Sequence, residues 1–206
     1  MKVDYSLYVC TDRDLMSSPT IEESVTLALK GGAGVIQLRE KDISGRKFYE
    51  EALSLLSITK RYGVPLLIND RVDIALAVDA DGVHVGQSDI PAKVVRHMIG
   101  DGKILGVSAS NLEEAVRAEN DGADYIGLGA VIPTGTKDDA EIVMFDEIRK
   151  IRDKVRIPIV IIGGLNENTI GRFKGMDLDG IAVVSAVVAS KDPEKSARDL
   201  KELWLN

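Results

Sequence analysis

Eight short apolar runs recur along the chain: YSLYVCTD, GVIQLREK, VPLLIND, DGVHVGQSD, ILGVSAS, YIGLGAVIPTGTK, IPIVIIGG and GIAVVSAVV. None alternates strictly between apolar and polar positions, which fits strands buried on both faces. The amphipathic stretches between them fit crossover helices. Helices are expected from a capping box at Thr20 to Glu23 through Gly31, from a similar start at Asn111, and at about 44–62, 72–79, 91–100, 144–155, 167–174 and 193–204. Related turns precede the even-numbered runs: Gly32-Ala-Gly34, Asp79-Ala-Asp81-Gly82, Gly122-Ala-Asp124 and Asp177-Leu-Asp179-Gly180. They suggest a repeat with two strands per unit.

A β-α unit repeated eight times fits either a closed barrel or an open doubly wound sheet. The position of the glycines favours the barrel. A doubly wound dinucleotide fold needs a Gly-rich turn after its first strand, and here that turn reads Cys10-Thr-Asp-Arg. The Gly and small residues come late instead, at Gly163-Gly164 and around Ser185, where phosphate-binding barrels place their anion site. The expected architecture is therefore a (β/α)8 TIM barrel. With 206 residues and no linker-like segment, it is expected to be one catalytic domain over residues 1–206.

Charge narrows the partners. The 26 Lys and Arg against 33 Asp and Glu give a net charge of −7, which argues against nucleic acid and makes any anion site local. The single Cys10 excludes an intramolecular disulfide, and the N-terminus is too polar for a signal peptide. No apolar stretch reaches the length of a membrane span. A cytoplasmic protein acting on small molecules is the expectation, with assembly as a homo-oligomer left open.

The strand ends carry the candidate chemistry. In Gln37-Leu-Arg-Glu-Lys41 the two-residue strand period puts Gln37, Arg39 and Lys41 on one side. Asn69-Asp70-Arg71 and Gln87-Ser88-Asp89 place two carboxylates on neighbouring strand ends. Mg²⁺ suits that arrangement, because it takes one or two protein carboxylates and completes its shell with waters and substrate phosphates. Taken singly, Asp70 reads better as a helix cap or a partner of Arg71, and Asp89 as the cap of the helix near Pro91; together with Arg39 and Lys41 the pair suggests a Mg-bound polyphosphate. Pro133-Thr-Gly-Thr-Lys137 offers hydroxyls and a cation without the spacing of a P-loop. Gly163-Gly164 and Val184-Ser185 read as a phosphate nest or as tight turns in a small barrel. His84 lies inside the fourth run and reads as a core or supporting histidine, and His97 as helical and exposed. With two separated histidines and one cysteine, neither a zinc site nor a Cys-His pair has support.

Taken in order, QLREKD, LLINDRVDIALA, DGVHVGQSD, ILGVSAS, ADYIGLGAVIPTGTK, IPIVIIGG and AVVSA closely resemble the thiamine-phosphate synthase family, from about Tyr8 to the C-terminal helix. The resemblance implies a transferase that joins 4-amino-2-methyl-5-hydroxymethylpyrimidine diphosphate to a thiazole phosphate, giving thiamine monophosphate and pyrophosphate. It implies that Gln37, Leu38, Arg39, Glu40, Lys41, Asn69, Ser108 and Lys137 hold the pyrimidine diphosphate, with Arg39, Lys41 and Lys137 catalytic. It places one Mg²⁺ on Asp70 and Asp89, and the thiazole phosphate on Thr134, Gly135, Thr136, Gly164, Val184 and Ser185. The chain departs from the frequent family sequence at Ala130 and Ile132, and Ser110 stands where a histidine is frequent. Two other readings compete: a thiazole tautomerase relative, which would use a histidine, and a non-catalytic barrel binding a phosphate ligand. A sugar-phosphate isomerase is more distant, since it should show an acid/base pair at the strand ends.

Overall fold

The computed structural model describes residues 3–133 and 142–206. Eight strands form: β1 (Leu7–Cys10), β2 (Val35–Leu38), β3 (Leu66–Asn69), β4 (Gly82–Val85), β5 (Ile104–Ala109), β6 (Tyr125–Gly129), β7 (Ile159–Ile162) and β8 (Gly180–Val183). All neighbours pair in parallel and β8 returns to β1, closing a barrel in sequence order. The helices are α1 (Ile21–Lys30), α2 (Gly45–Tyr62), α3 (Val72–Ala77), α4 (Ala92–Ile99), α5 (Leu112–Asn120), α6 (Phe145–Lys154), α7 (Ser185–Val188) and α8 (Pro193–Leu205). The expected (β/α)8 architecture is the one observed.

The absence of strict alternation in the strands has a direct cause. Residues such as Val9, Ile36, Ile68 and Leu128 bury themselves against the helices in one large core. Their alternates, including Tyr8, Leu67, Tyr125, Val160 and Ala182, fill the barrel as a separate, smaller cluster. Both faces of the strands are thus largely buried, as parallel barrels require. No described helix is long and apolar enough to cross a membrane.

Local signals place the helix starts. Thr20 accepts a bond from the Glu23 N–H at 3.2 Å, and Asn111 accepts one from the Glu114 N–H at 2.9 Å. Two elements differ from expectation. The helix expected at 167–174 is a 3₁₀ turn, Ile170–Phe173, because its two buried residues are spaced by three and fit three residues per turn. The last apolar run splits into β8 and the four-residue α7, since run length alone does not separate a buried strand from a buried helical turn.

The repeated turns before the even strands act as staples at the N-terminal end of the barrel. The carboxylates of Asp81, Asp124 and Asp179 accept bonds from the N–H groups of Leu66, Leu105 and Ile159 at 2.8, 2.7 and 2.8 Å. The first repeat carries Gly34 at this position, because a Cβ there would lie 2.1 Å from the Asp4 carbonyl oxygen. Arg96 ties one staple to the α4 exit. It donates to Asp124 Oδ2 at 2.5 Å, to the Gly122 carbonyl at 3.0 Å, and to the carbonyls of Gly100 and Lys103 at 2.6 and 2.8 Å. An Arg96→Ala variant removes all of these bonds, leaving Asp124 Oδ2 with the Leu105 N–H alone, and is expected to lose about 2–3 kcal/mol of stability. A urea titration checks this: the midpoint should fall with the slope unchanged.

Candidate active site

The C-terminal strand ends surround a cavity of about 810 Å³ lined from every strand of the barrel. On the β2 to β4 side it presents Gln37, Arg39, Lys41, Asn69, Asp70 and Asp89, and across the barrel it presents Gly163, Gly164, Val184 and Ser185. Ser108 of β5 also lines it. β2 ends at Leu38, and with the alternation carried on past its end Gln37, Arg39 and Lys41 all line the cavity.

The same period corrects two residues. Leu38 is fully buried in the helix-side core. Glu40 turns its carboxylate to Arg13, whose guanidinium contacts both oxygens at 3.1 and 3.2 Å and also reaches Glu51 at 2.6 Å. Neither side chain lines the cavity, because the alternates of cavity-facing residues must face the helices. Burial lifts the Glu40 carboxyl above its ordinary range despite the opposing pull of Arg13. Thr134, Gly135, Thr136 and Lys137 lie outside the described residues.

Charge is concentrated where β2, β3 and β4 end. Lys41 Nζ donates to Asp70 Oδ2 at 2.6 Å, and Arg39 Nη1 lies 3.5 Å from Asp12 Oδ2. Asp70 takes a left-handed backbone conformation with φ of 59°. Neither structural role open to the aspartates in the sequence is realised. Arg71 pairs with Asp73 instead of Asp70, and the N-termini of α3 and α4 carry no side-chain cap. Asp89 Oδ2 accepts the Gly86 N–H at 2.7 Å. Burial raises the Asp70 carboxyl, but bonds from Lys41, Asp89 and Asn69 bring it below its usual range. Asp89 is held above its usual range by burial and by the Asp70 carboxylate beside it. Two neighbouring carboxyls of this kind can share a proton or a cation.

The two glycines across the barrel turn tightly, with φ of 102° at Gly163 and 65° at Gly164. A Cβ at these positions would come within 2.7 Å of the Ala130 Cβ and 2.6 Å of the Ile132 Cβ. Close packing against the β6 loop is therefore one reason for them. Thr169 Oγ1 donates to the Gly164 carbonyl at 3.0 Å, which holds the turn in place. Ser110, the departure from the family, sends both its N–H and its hydroxyl to Glu114 Oε2, at 2.7 and 2.9 Å.

The floor of the cavity holds residues that the sequence reading did not bring together. Gln37 Nε2 donates to the Tyr8 hydroxyl at 2.6 Å, and that hydroxyl is 2.9 Å from the Tyr125 hydroxyl. His84 Nδ1 is 2.8 Å from the Tyr125 hydroxyl, and His84 Nε2 is 2.9 Å from Ser108 Oγ. Burial pushes both phenols well above their ordinary range, and pushes the neighbouring Cys10 thiol up to about 12. The signal in the sequence was the pair of glycines two residues apart from inward positions, Gly106 and Gly127, which leave room for large polar rings.

Comparison with known proteins shows the family of the chain. A family profile described as "Thiamine monophosphate synthase" matches residues 7–187. A thiamine-phosphate synthase of Clostridium botulinum is 58% identical over 201 residues, covering 98% of this chain and 94% of that protein. One from Clostridium beijerinckii is 56% identical over 204 residues, covering 99% and 98%. Among solved structures, a thiamine phosphate pyrophosphorylase from Pyrococcus furiosus superposes with a TM-score of 0.91 at 42% identity, covering 98% of this chain and 96% of that one. By profile, by sequence and by fold, the chain belongs to the thiamine monophosphate synthase family.

Proposed function

We propose that this barrel is a cytoplasmic thiamine-phosphate synthase, joining an aminopyrimidine-methyl diphosphate to a thiazole phosphate and releasing pyrophosphate. The observation that carries the assignment of roles is the meeting of Arg39, Lys41, Asp70 and Asp89 at three adjacent strand ends, facing the Gly163-Gly164 turn across one cavity. Cations and carboxylates together suit a diphosphate bound with a divalent metal. The backbone turn suits a second, smaller phosphate.

Asp70 and Asp89 would hold Mg²⁺, and the donor set fits it. These are two hard oxygen ligands, the kind Mg²⁺ takes beside waters and substrate phosphates. When bound, Mg²⁺ neutralises charge on the diphosphate. Arg39 and Lys41 stabilise the negative charge that grows on the leaving diphosphate as the methylene C–O bond breaks and its electron pair departs. Lys137, outside the described residues, is proposed to join them. The lone pair of the thiazole nitrogen then forms the new C–N bond. Gly164, Val184 and Ser185, with Thr134, Gly135 and Thr136, would hold the thiazole phosphate so that this nitrogen is aimed at the carbon. Position and electrostatics carry the rate. The Ser110 to Glu114 pairing disfavours the tautomerase reading, since it offers a committed hydroxyl where that chemistry needs a base.

The test is formation of pyrophosphate and thiamine monophosphate from the two substrates, with and without Mg²⁺. In an Asp70→Asn variant, turnover is expected to fall at least about 100-fold. Asparagine tolerates the left-handed backbone at this position, so the melting temperature should stay near that of the parent. Full activity in the variant would refute the metal assignment, and no product from the parent would refute the activity.

A further inference from the structure

The hydrogen bonds on the cavity floor form one chain, and the donor and acceptor rules give it a direction. Gln37 Nε2 can only donate, so the Tyr8 oxygen accepts and its own proton must go elsewhere. Among the described residues its acceptor is the Tyr125 hydroxyl at 2.9 Å. Tyr125 then sends its proton to His84 Nδ1 at 2.8 Å. A neutral imidazole that accepts at Nδ1 carries its proton on Nε2, and Nε2 faces Ser108 Oγ at 2.9 Å. The serine oxygen accepts, and its hydroxyl proton is left to point at a ligand.

We propose that His84 is a positioning residue: in its Nε2–H tautomer it completes a one-way hydrogen-bond chain from Gln37 to Ser108, which fixes an acceptor and a donor toward the substrate's aminopyrimidine. The acceptor is Gln37 Oε1, left over once the amide nitrogen is committed to Tyr8. The donor is the Ser108 hydroxyl. An aminopyrimidine carries an exocyclic amine that donates beside a ring nitrogen that accepts, so the two ends of the chain complement it. This part rests on the activity proposed above.

Two further observations show that the chain is built into the barrel. A Cβ at Gly106 would lie 2.2 Å from the Tyr125 hydroxyl and 2.5 Å from His84 Nδ1, and one at Gly127 would lie 2.9 Å from His84 Cε1. The β5 and β6 walls are thinned where the rings pass. Burial keeps both phenols protonated at working pH, so each remains a donor in the chain. The chain also links its ends. Reversing it requires turning the Gln37 amide and moving the imidazole proton to Nδ1, which would present a donor at Gln37 and an acceptor at Ser108.

Nitrogen-15 NMR of the imidazoles tests the direction without any substrate. A His97→Gln substitution on the exposed face of α4 leaves His84 as the single histidine. The expected spectrum at neutral pH has a pyridine-type Nδ1 and a pyrrole-type Nε2. An Nδ1–H tautomer, or a doubly protonated ring, overturns the proposal. A Tyr125→Phe variant, which cuts the chain at its middle, is the second arm. It should raise KM for the pyrimidine diphosphate about ten-fold while KM for the thiazole phosphate changes less than about two-fold. Equal rises in both, or no rise in the first, overturns the positioning role. If the parent forms no product, the activity fails, and the NMR result still decides the chain by itself. If Tyr125→Phe does not fold, His84→Gln takes its place in the same KM comparison, with the same outcomes deciding the positioning role.

Discussion

Replacing Arg39 with alanine is expected to lower kcat/KM for the diphosphate substrate by about 10²–10³-fold, with little change in melting temperature. Three features lead to this. Arg39 lines the cavity beside Lys41. Its backbone is clamped from the residue after β1, where the Thr11 hydroxyl accepts the Arg39 N–H at 2.9 Å, so side-chain loss need not disturb the strand end. Its guanidinium is held only loosely, 3.5 Å from Asp12, whereas Lys41 is engaged with Asp70 at 2.6 Å. Arg39 is thus free to turn to a diphosphate, and a planar fork grips phosphate oxygens in pairs. Arg39→Lys should restore charge but not the fork, and should recover part of the loss. An Arg39→Ala enzyme with the parent's kcat/KM would remove this residue from the diphosphate site.

The largest effect on stability is expected at Gly180. A Cβ there would lie 1.7 Å from the Tyr5 carbonyl oxygen and 2.4 Å from its carbon. Those are backbone atoms, so no rotamer change relieves the clash. Gly180 begins β8, and the chain it meets leads into β1, so the conflict falls on the seam where the barrel closes. Tyr5 also packs on Tyr125, with ring centroids 4.9 Å apart. Gly180→Ala is expected to cost about 3 kcal/mol or more, and a chain of this length should then melt about 6–12 °C lower. Gly171→Ala is the control. Nothing lies within 4 Å of its Cβ position, and it should change stability by less than about 0.5 kcal/mol. Similar melting temperatures for the two variants would contradict the steric account.

Much of the fold is legible in the residues because its period is local. Eight apolar runs, their helical spacers and the caps at Thr20 and Asn111 each express a choice made within a few residues of chain. The charged wall was legible for the same reason: one strand period aims Gln37, Arg39 and Lys41 together. That period, applied one step further, excludes the side chains of Leu38 and Glu40, which belonged to the motif only as its alternates. The split of the last apolar run into β8 and α7 was not legible, because a buried strand and a buried helical turn share one composition.

The number of β-α units, the glycines before and within the strands, and the charged residues at each strand end are therefore properties of the sequence by itself. What only the tertiary structure decided is how distant residues meet. Tyr8 and Tyr125 are 117 positions apart and share a hydrogen bond, and Gln37, His84 and Ser108 join them from three other strands. Beyond the small residues Gly106 and Gly127 that make room for the rings, no local pattern marks such a chain, since each member reads singly as a core aromatic or a buried polar residue. Closing the barrel converts them into one connected floor, because a buried donor or acceptor must find its partner across the interior.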